Sequence, residues 1–310
     1  EKAVQQALAQ ERSSGCELRL EWGLTMYHLD DLSFGDGLSE MPDSFTQFRR
    51  AVEDEVEVRR EHPIPQPGQL PLPKELNCLD IGEIPGSGAE LLSMMGIADS
   101  ESEIERGVGD GERKGGETTG LARIQYYFWE SDLVASYFDT RNGLLGADFS
   151  TKLSAWLAHG CISPRRVHSE VLRYEAERTA NKSTYWVLFE MMTRDFYKFF
   201  ALKHGNKLFA ELGLEGIPVQ WDPNPELLTR WKSGTTGVPF VDANMRELAA
   251  TGYMSNRGRQ NVASFLVMEY GVDWRQGADY FESRLVDYDP ALNWGNWLAA
   301  AGLTSGRLNR

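Results

Sequence analysis

Apolar side chains cover nearly every face of a helix over residues 183–204, and this segment constrains the fold more than any other. A helix that is apolar on all sides is stable in water only when other elements surround it. Because serine favours helix starts, the segment predicts a helix from Ser183 through His204 at the centre of a mostly α domain. The apolar positions are Tyr185, Trp186, Leu188, Phe189, Met191, Met192, Phe196, Phe199 and Phe200.

Charge divides the chain into two parts. Residues 1–120 hold 25 acidic and 11 basic side chains, whereas residues 121–310 hold 21 of each. The formal net charge of −14 therefore belongs to the first part. The second part can still carry a local basic cleft, although it lacks the strong global field that steers many DNA-binding proteins.

Composition excludes several classes of protein. No apolar run reaches the roughly 18–20 residues that a membrane span needs, so we expect no membrane partner. Cys16, Cys78 and Cys161 lie far apart without a CxxC spacing, which argues against a disulfide framework. A reducing compartment is expected: cytoplasm, plastid, mitochondrion or nucleus. The five histidines show neither metal-ligand spacing nor a partner nucleophile, so metalloenzyme and hydrolase chemistry are not indicated.

The first part of the chain reads as the end of one domain followed by a linker. Residues 4–11 are helix-like and residues 18–27 partly alternate in apolar character, which predicts one αβ step of a Rossmann-like α/β domain. Residues 63–73 contain five prolines, and residues 82–117 are rich in Gly, Glu and Ser, as linkers are. The predicted units are a domain remnant over 1–60, a linker over 61–117 and a helical domain over 118–310.

Residues 148–154 form a polar segment that runs into a short apolar helix over 155–160. Its three hydroxyls and one ammonium lie beside the free N–H groups of a helix start, which suits a phosphate or pyrophosphate. A capped helix without a ligand explains the same residues, and the residues alone leave both interpretations open. No GxGxxG motif follows a predicted strand, so a Rossmann-type nucleotide site is not indicated.

Charged side chains recur on the predicted buried helices. Glu190 and Arg194 have the spacing and order of a favourable ion pair, which serves either as an internal salt bridge or as a polar patch facing a ligand. Arg257 and Arg259 point to different faces of a helix. One of them, Arg259, can therefore pair with Asp287 while the other stays free for a ligand or phosphate.

The string TGYMSNRGRQ at residues 251–260 resembles the flavin-pocket motif of the photolyase/cryptochrome family in its DASH form. Ser255, Gly258 and Gln260 distinguish that form. Further matching segments follow in order from residue 118 to residue 302: 141–143, 160–164, 181–185, 232–239, 242–245 and 285–297. The resemblance implies a helical FAD-binding domain preceded by an α/β antenna domain. Because most antenna strands have no counterpart in this sequence, we expect no antenna pterin (methenyltetrahydrofolate) to bind.

The resemblance also implies roles for particular residues. FAD contacts are implied for Tyr137, Ser150, Thr151, Lys152, Leu153, Ser154, Arg194, Asn256, Arg259, Asp287 and Asp289. Catalytic roles are implied for Glu190, for Asn293 facing the flavin N5, and for an electron-transfer relay of Trp297, Trp274 and Trp221. DNA contacts are implied for Glu190, Arg257 and Gln260.

The implied activity is light-driven electron transfer from reduced FAD to a cyclobutane pyrimidine dimer, preferentially in single-stranded DNA. Thr193 and Ala299 depart from the family pattern, since they stand where a tryptophan and a DASH tyrosine lie beside the lesion. Stacking of a base on an aromatic ring is worth about 1–3 kcal/mol, so this loss predicts feeble or absent repair. Three hypotheses stay open: a photoreceptor with residual single-strand repair, a light sensor acting through a partner, and a flavin-free helical scaffold.

Overall fold

The structure, a computed structural model, describes residues 21–66 and 115–304 together with residues 18, 68, 69, 90, 93 and 94. Within these residues the regular structure is helical and no strand occurs. The helices are α1 (Phe45–Glu55), α2 (Glu117–Ile124), α3 (Tyr137–Thr140), α4 (Ser154–Ala158), α5 (Pro164–Glu177), α6 (Lys182–His204), α7 (Pro225–Ser233), α8 (Pro239–Thr251), α9 (Asn256–Ser264), α10 (Trp274–Arg284) and α11 (Pro290–Ala300). The mostly α fold class is therefore confirmed.

Helix α6 is the predicted buried helix, but its start differs from the prediction. Asn181, rather than Ser183, is the N-cap, and its side chain accepts hydrogen bonds from the backbone N–H groups of Ser183 and Thr184. The Thr184 hydroxyl accepts from the Asn181 N–H in return, which completes a capping box. Ser183 is free for another task, and its hydroxyl accepts a hydrogen bond from the backbone N–H of Phe138.

Packing around α6 forms the core. The rings of Phe196, Phe199 and Phe200 are buried, and Phe48 of α1 packs against the first two of them. Trp22 stacks on Phe199, with ring centroids 5.6 Å apart. Helices α3, α5 and α11 also contact α6, so the helix has neighbours on several sides, as its apolar surface requires.

Helices α10 and α11 lie against each other, and both begin at an aspartate cap. Asp273 accepts from the N–H of Arg275, and Asp289 accepts from the N–H of Leu292. A glycine makes their approach possible, because a Cβ on Gly277 would lie 2.3 Å from Cη2 of Trp297. Helix α11 in turn contacts α6 and α9.

The predicted strand over 18–27 is not present in residues 21–27, which have no regular structure. The helix predicted over 4–11 and most of the linker predicted over 61–117 lie outside the described residues. Residues 21–60 contain α1 and two short 3-10 turns, so the prediction of an α/β remnant stays a prediction. No helix in the described ranges is long and apolar enough to cross a membrane.

Candidate cofactor-binding site

A cavity of about 690 Å³ lies between α6, α9, α10 and α11 and the segment before α4. This volume is in the range typical of small-molecule and cofactor sites. All the predicted FAD contacts lie on its wall: Tyr137, Ser150, Thr151, Lys152, Leu153, Ser154, Arg194, Asn256, Arg259, Asp287 and Asp289. Glu190, Gln260, Asn293, Trp297 and Ala299 line it as well. Residues that are far apart in the sequence therefore meet at one place.

Arg123 of α2 holds the polar segment that precedes α4. Its guanidinium donates to the backbone oxygens of Ala147, Thr151 and Ser150 at 2.9–3.0 Å and pairs with the carboxylate of Asp148 at 2.9 Å. This fixed segment presents side chains to the cavity. The sequence did not predict this role for Arg123. The residues that it contacts lie more than twenty positions away in the chain.

The side chains of this segment differ in how far they are engaged. Within the described residues the hydroxyls of Ser150, Thr151 and Ser154 make no hydrogen bond, so they can bind a ligand in the cavity. Lys152 has φ +53°, and its ammonium donates to the Gly146 carbonyl at 2.5 Å. The following helix α4 begins at Ser154, one residue earlier than predicted.

On α6 the predicted ion pair between Glu190 and Arg194 is absent. Glu190 pairs instead with Arg141, at 2.8 Å, and Arg194 donates to the carbonyl oxygens of Leu24 (2.5 Å) and Leu157 (3.2 Å). Helical spacing permits the predicted pair, but in the folded chain both side chains bind partners from other segments instead. Burial raises the pKa of Glu190 against the opposing effect of Arg141, and burial lowers the pKa of Arg194.

The two arginines of α9 do separate, as predicted. Arg259 lines the cavity and pairs with both carboxylate oxygens of Asp287 at 2.8 and 3.0 Å, while its Nε donates to the Met254 carbonyl. Arg257 is exposed and donates to the side-chain oxygens of Asn142 and Gln260. Arg257 does not lie on the cavity wall, whereas Gln260 does. Of these two predicted DNA contacts, only Gln260 can therefore touch a ligand inside the cavity.

Asn293 lies one turn into α11, and its amide has a defined orientation. Its Nδ2 donates to the Ala278 carbonyl at 2.9 Å, and its Oδ1 accepts no hydrogen bond in the described part of the chain. Asp289, the cap of this helix, is paired with Lys198 of α6. The wall thus presents a carbonyl-type acceptor at Asn293 beside a neutralised carboxylate.

The three tryptophans of the predicted relay occupy different places. Trp297 lines the cavity and is buried, with the rings of Phe281 and Trp231 at centroid distances of 5.1 and 5.9 Å. Trp274 is buried behind the wall, one helical turn before the Gly277 that Trp297 packs against. Trp221 is half-buried and lines a surface depression. The structure brings one of the three to the cavity.

The two departures from the family pattern also differ in position. Ala299 lies on the cavity wall, so the cavity is open at that point. Thr193 is not on the wall, and its hydroxyl donates to the Phe189 carbonyl one turn back along α6. Neither residue presents an aromatic ring to the cavity.

Comparison with known proteins gives consistent matches. A family model for the FAD binding domain of DNA photolyase matches residues 186–308. Cryptochrome DASH, chloroplastic/mitochondrial, of Ostreococcus tauri is 51% identical over 99% of this chain and 58% of the relative. Cryptochrome DASH of Xenopus laevis is 48% identical over 98% and 55%, respectively. The crystal structure of the Synechocystis sp. PCC6803 cryptochrome superposes with a TM-score of 0.79 and 40% identity, covering all of this chain and 61% of that one.

The chain belongs to the photolyase/cryptochrome family. Within that family it is similar to the DASH cryptochromes, and it spans a little over half the length of the relatives it matches.

Proposed function

We propose that the cavity binds FAD noncovalently and that the chain is the flavin-binding part of a blue-light-responsive DASH-type protein. The observation that carries the proposal is the convergence on one cavity of about 690 Å³ of all eleven contacts that the family resemblance implies. The free hydroxyls before α4, the acceptor at Asn293 and the cation of Arg194 fit a ligand that combines phosphates with a hydrogen-bonding heterocycle. The family match supports the same ligand.

The residues of the chain have separate tasks in this proposal. Arg194 and the hydroxyls of the 150–154 segment hold the anionic, ribityl-bearing part of the cofactor, and Asn293 and the Arg259–Asp287 pair orient the ring system. When bound, FAD supplies the light absorption and the electron transfer. Trp297, on the wall, is the residue placed to pass an electron to or from the cavity, and Trp274 and Trp221 continue the route toward the surface.

Visible absorption of the purified protein tests FAD binding directly. We expect flavin bands and release of intact FAD on denaturation. Adding FAD to protein stripped of cofactor should also stabilise the fold, by about 2.7 kcal/mol at a hundred times the dissociation constant. A colourless protein that FAD neither colours nor stabilises would favour the scaffold hypothesis instead.

Single-stranded DNA carrying a pyrimidine dimer is the proposed substrate, read by Glu190, Gln260 and the exposed Arg257. The open wall at Ala299 favours a second candidate function, a light sensor that binds a partner and repairs little. A comparison of dimer-containing and undamaged oligonucleotides separates them, because repair requires preferential binding and light-dependent loss of the dimer. We infer a reducing compartment, and the chloroplastic/mitochondrial relatives support an organelle.

A further inference from the structure

Tyr197 is a cavity-lining residue that the predicted site does not contain. It lies one helical turn beyond Arg194 on α6, and the accessible part of its side chain faces the cavity. Its hydroxyl makes no hydrogen bond to any residue that the structure describes. Burial raises the pKa of this phenol to about 12, so it is a proton donor throughout the physiological range.

The ring of Tyr197 is held in place from behind. It lies against the backbone of α11 at Gly295, where an added Cβ would be 2.5 Å from Cδ1 of the tyrosine. Phe196 packs on it edge to face at 5.4 Å. Because the ring cannot move far, the hydroxyl is oriented before any ligand arrives, and the entropic cost of using it is small.

Other polar groups on the cavity wall complement a donor. Asn293 and Asn296 each use Nδ2 for a backbone carbonyl, of Ala278 and Leu292 respectively. Their amide oxygens are therefore acceptors, and the Tyr197 hydroxyl adds a donor to the same wall. An acceptor atom of a ligand in the cavity would give the Tyr197 hydroxyl the hydrogen bond that it lacks to the described residues.

We propose that Tyr197 is a further cofactor-binding residue, whose hydroxyl donates a hydrogen bond to an acceptor atom of the bound FAD. The proposal rests on the FAD site proposed above. It assigns Tyr197 a direct contact with the cofactor in addition to the packing role that its ring has against α11.

Tyr197→Phe tests this contact, since it removes the hydroxyl and leaves the ring. FAD affinity of the stripped protein is measured by titration, and the thermal midpoint of the stripped protein is measured alongside. A net hydrogen bond of about 1 kcal/mol predicts a roughly fivefold weaker affinity with an unchanged midpoint. Tyr280→Phe is the matched control, because Tyr280 is buried off the cavity wall and its hydroxyl donates to the Lys232 carbonyl.

The outcomes are distinct. Weaker FAD binding by Tyr197→Phe but not by Tyr280→Phe supports the contact. Equal affinity of wild type and Tyr197→Phe, or equal losses in both variants, overturns it while FAD binding itself stands. If the wild type takes up no FAD, the proposed function fails first. As a second variant, Gly295→Ala should displace the ring and weaken binding, and adding Tyr197→Phe to it should then cost little more.

Discussion

Asp195 lies wholly buried beside the cavity, and its ionisation should make the stability of the protein depend on pH. Burial raises the pKa of Asp195 from 3.8 to about 7, although the backbone N–H groups of Tyr27 and Met26 and the charges of Arg194 and Arg165 oppose this. Since the folded state holds the proton more tightly, the stabilisation is complete below about pH 4. It falls by about 1.4 kcal/mol per pH unit as pH rises and levels off above about pH 7.

Asp195→Asn removes this titration and keeps an oxygen that can accept from the Tyr27 N–H, now at 2.9 Å. The free energy of unfolding of the variant minus that of the wild type should therefore grow by roughly 2–3 kcal/mol between pH 5 and pH 8. Urea unfolding at several pH values measures it, and taking the difference cancels the other titrating groups. Asp132→Asn is the control, because hydrogen bonds from Tyr174 and Arg178 lower the pKa of Asp132 and its difference should be flat over this range. A flat difference for Asp195→Asn would refute the reasoning.

Two further predictions concern the proposed light chemistry. Trp297→Phe should keep FAD but strongly slow its photoreduction, as measured by transient absorption. Trp231 is equally buried but lies off the cavity wall, so Trp231→Phe should cost only about 1–3 kcal/mol of stability. Equal photoreduction rates in wild type and Trp297→Phe would exclude the relay. Ala299→Tyr should bind dimer-containing single strands more tightly by about 1–3 kcal/mol, because it adds a ring on which a base can stack. Ala249→Tyr, at an exposed position off the cavity wall, should give no such gain. Equal affinities of the two variants would mean that Ala299 does not face the lesion.

The central helix could be predicted because its signal is local, whereas the segment before it could not. Residues 21–27 alternate enough to suggest a strand, but a strand needs a neighbouring strand to pair its backbone groups. Here α6 supplies those partners: Arg194 donates to the Leu24 carbonyl, and Asp195 accepts from the Tyr27 N–H. Alternation in the sequence carries no information about such partners.

The composition of the site was predictable by family resemblance, and the Arg259–Asp287 pair was predictable from the residues, but the partner of Glu190 was not. Every expected FAD contact lies on the cavity wall, yet the expected Glu190–Arg194 pair is replaced by Glu190–Arg141. Spacing along one helix ranks the pairs within that helix, and it cannot rank a partner brought from another element. Arg123 and Tyr197 were missed for a related reason, because each acts on residues far away in the sequence.

The charges on the cavity wall favour an anion. Its three carboxylates each have a cation, since Glu190 pairs with Arg141, Asp287 with Arg259 and Asp289 with Lys198. The Arg194 guanidinium is bonded to two backbone carbonyls and lies 4.0 Å from Asp195. Because the pKa of Asp195 is about 7, that neighbour is largely uncharged in mildly acidic solution and cancels little of the charge of Arg194. A phosphate near Arg194 therefore gains an opposite charge without displacing an ion pair, and this attraction should weaken as pH rises and Asp195 ionises.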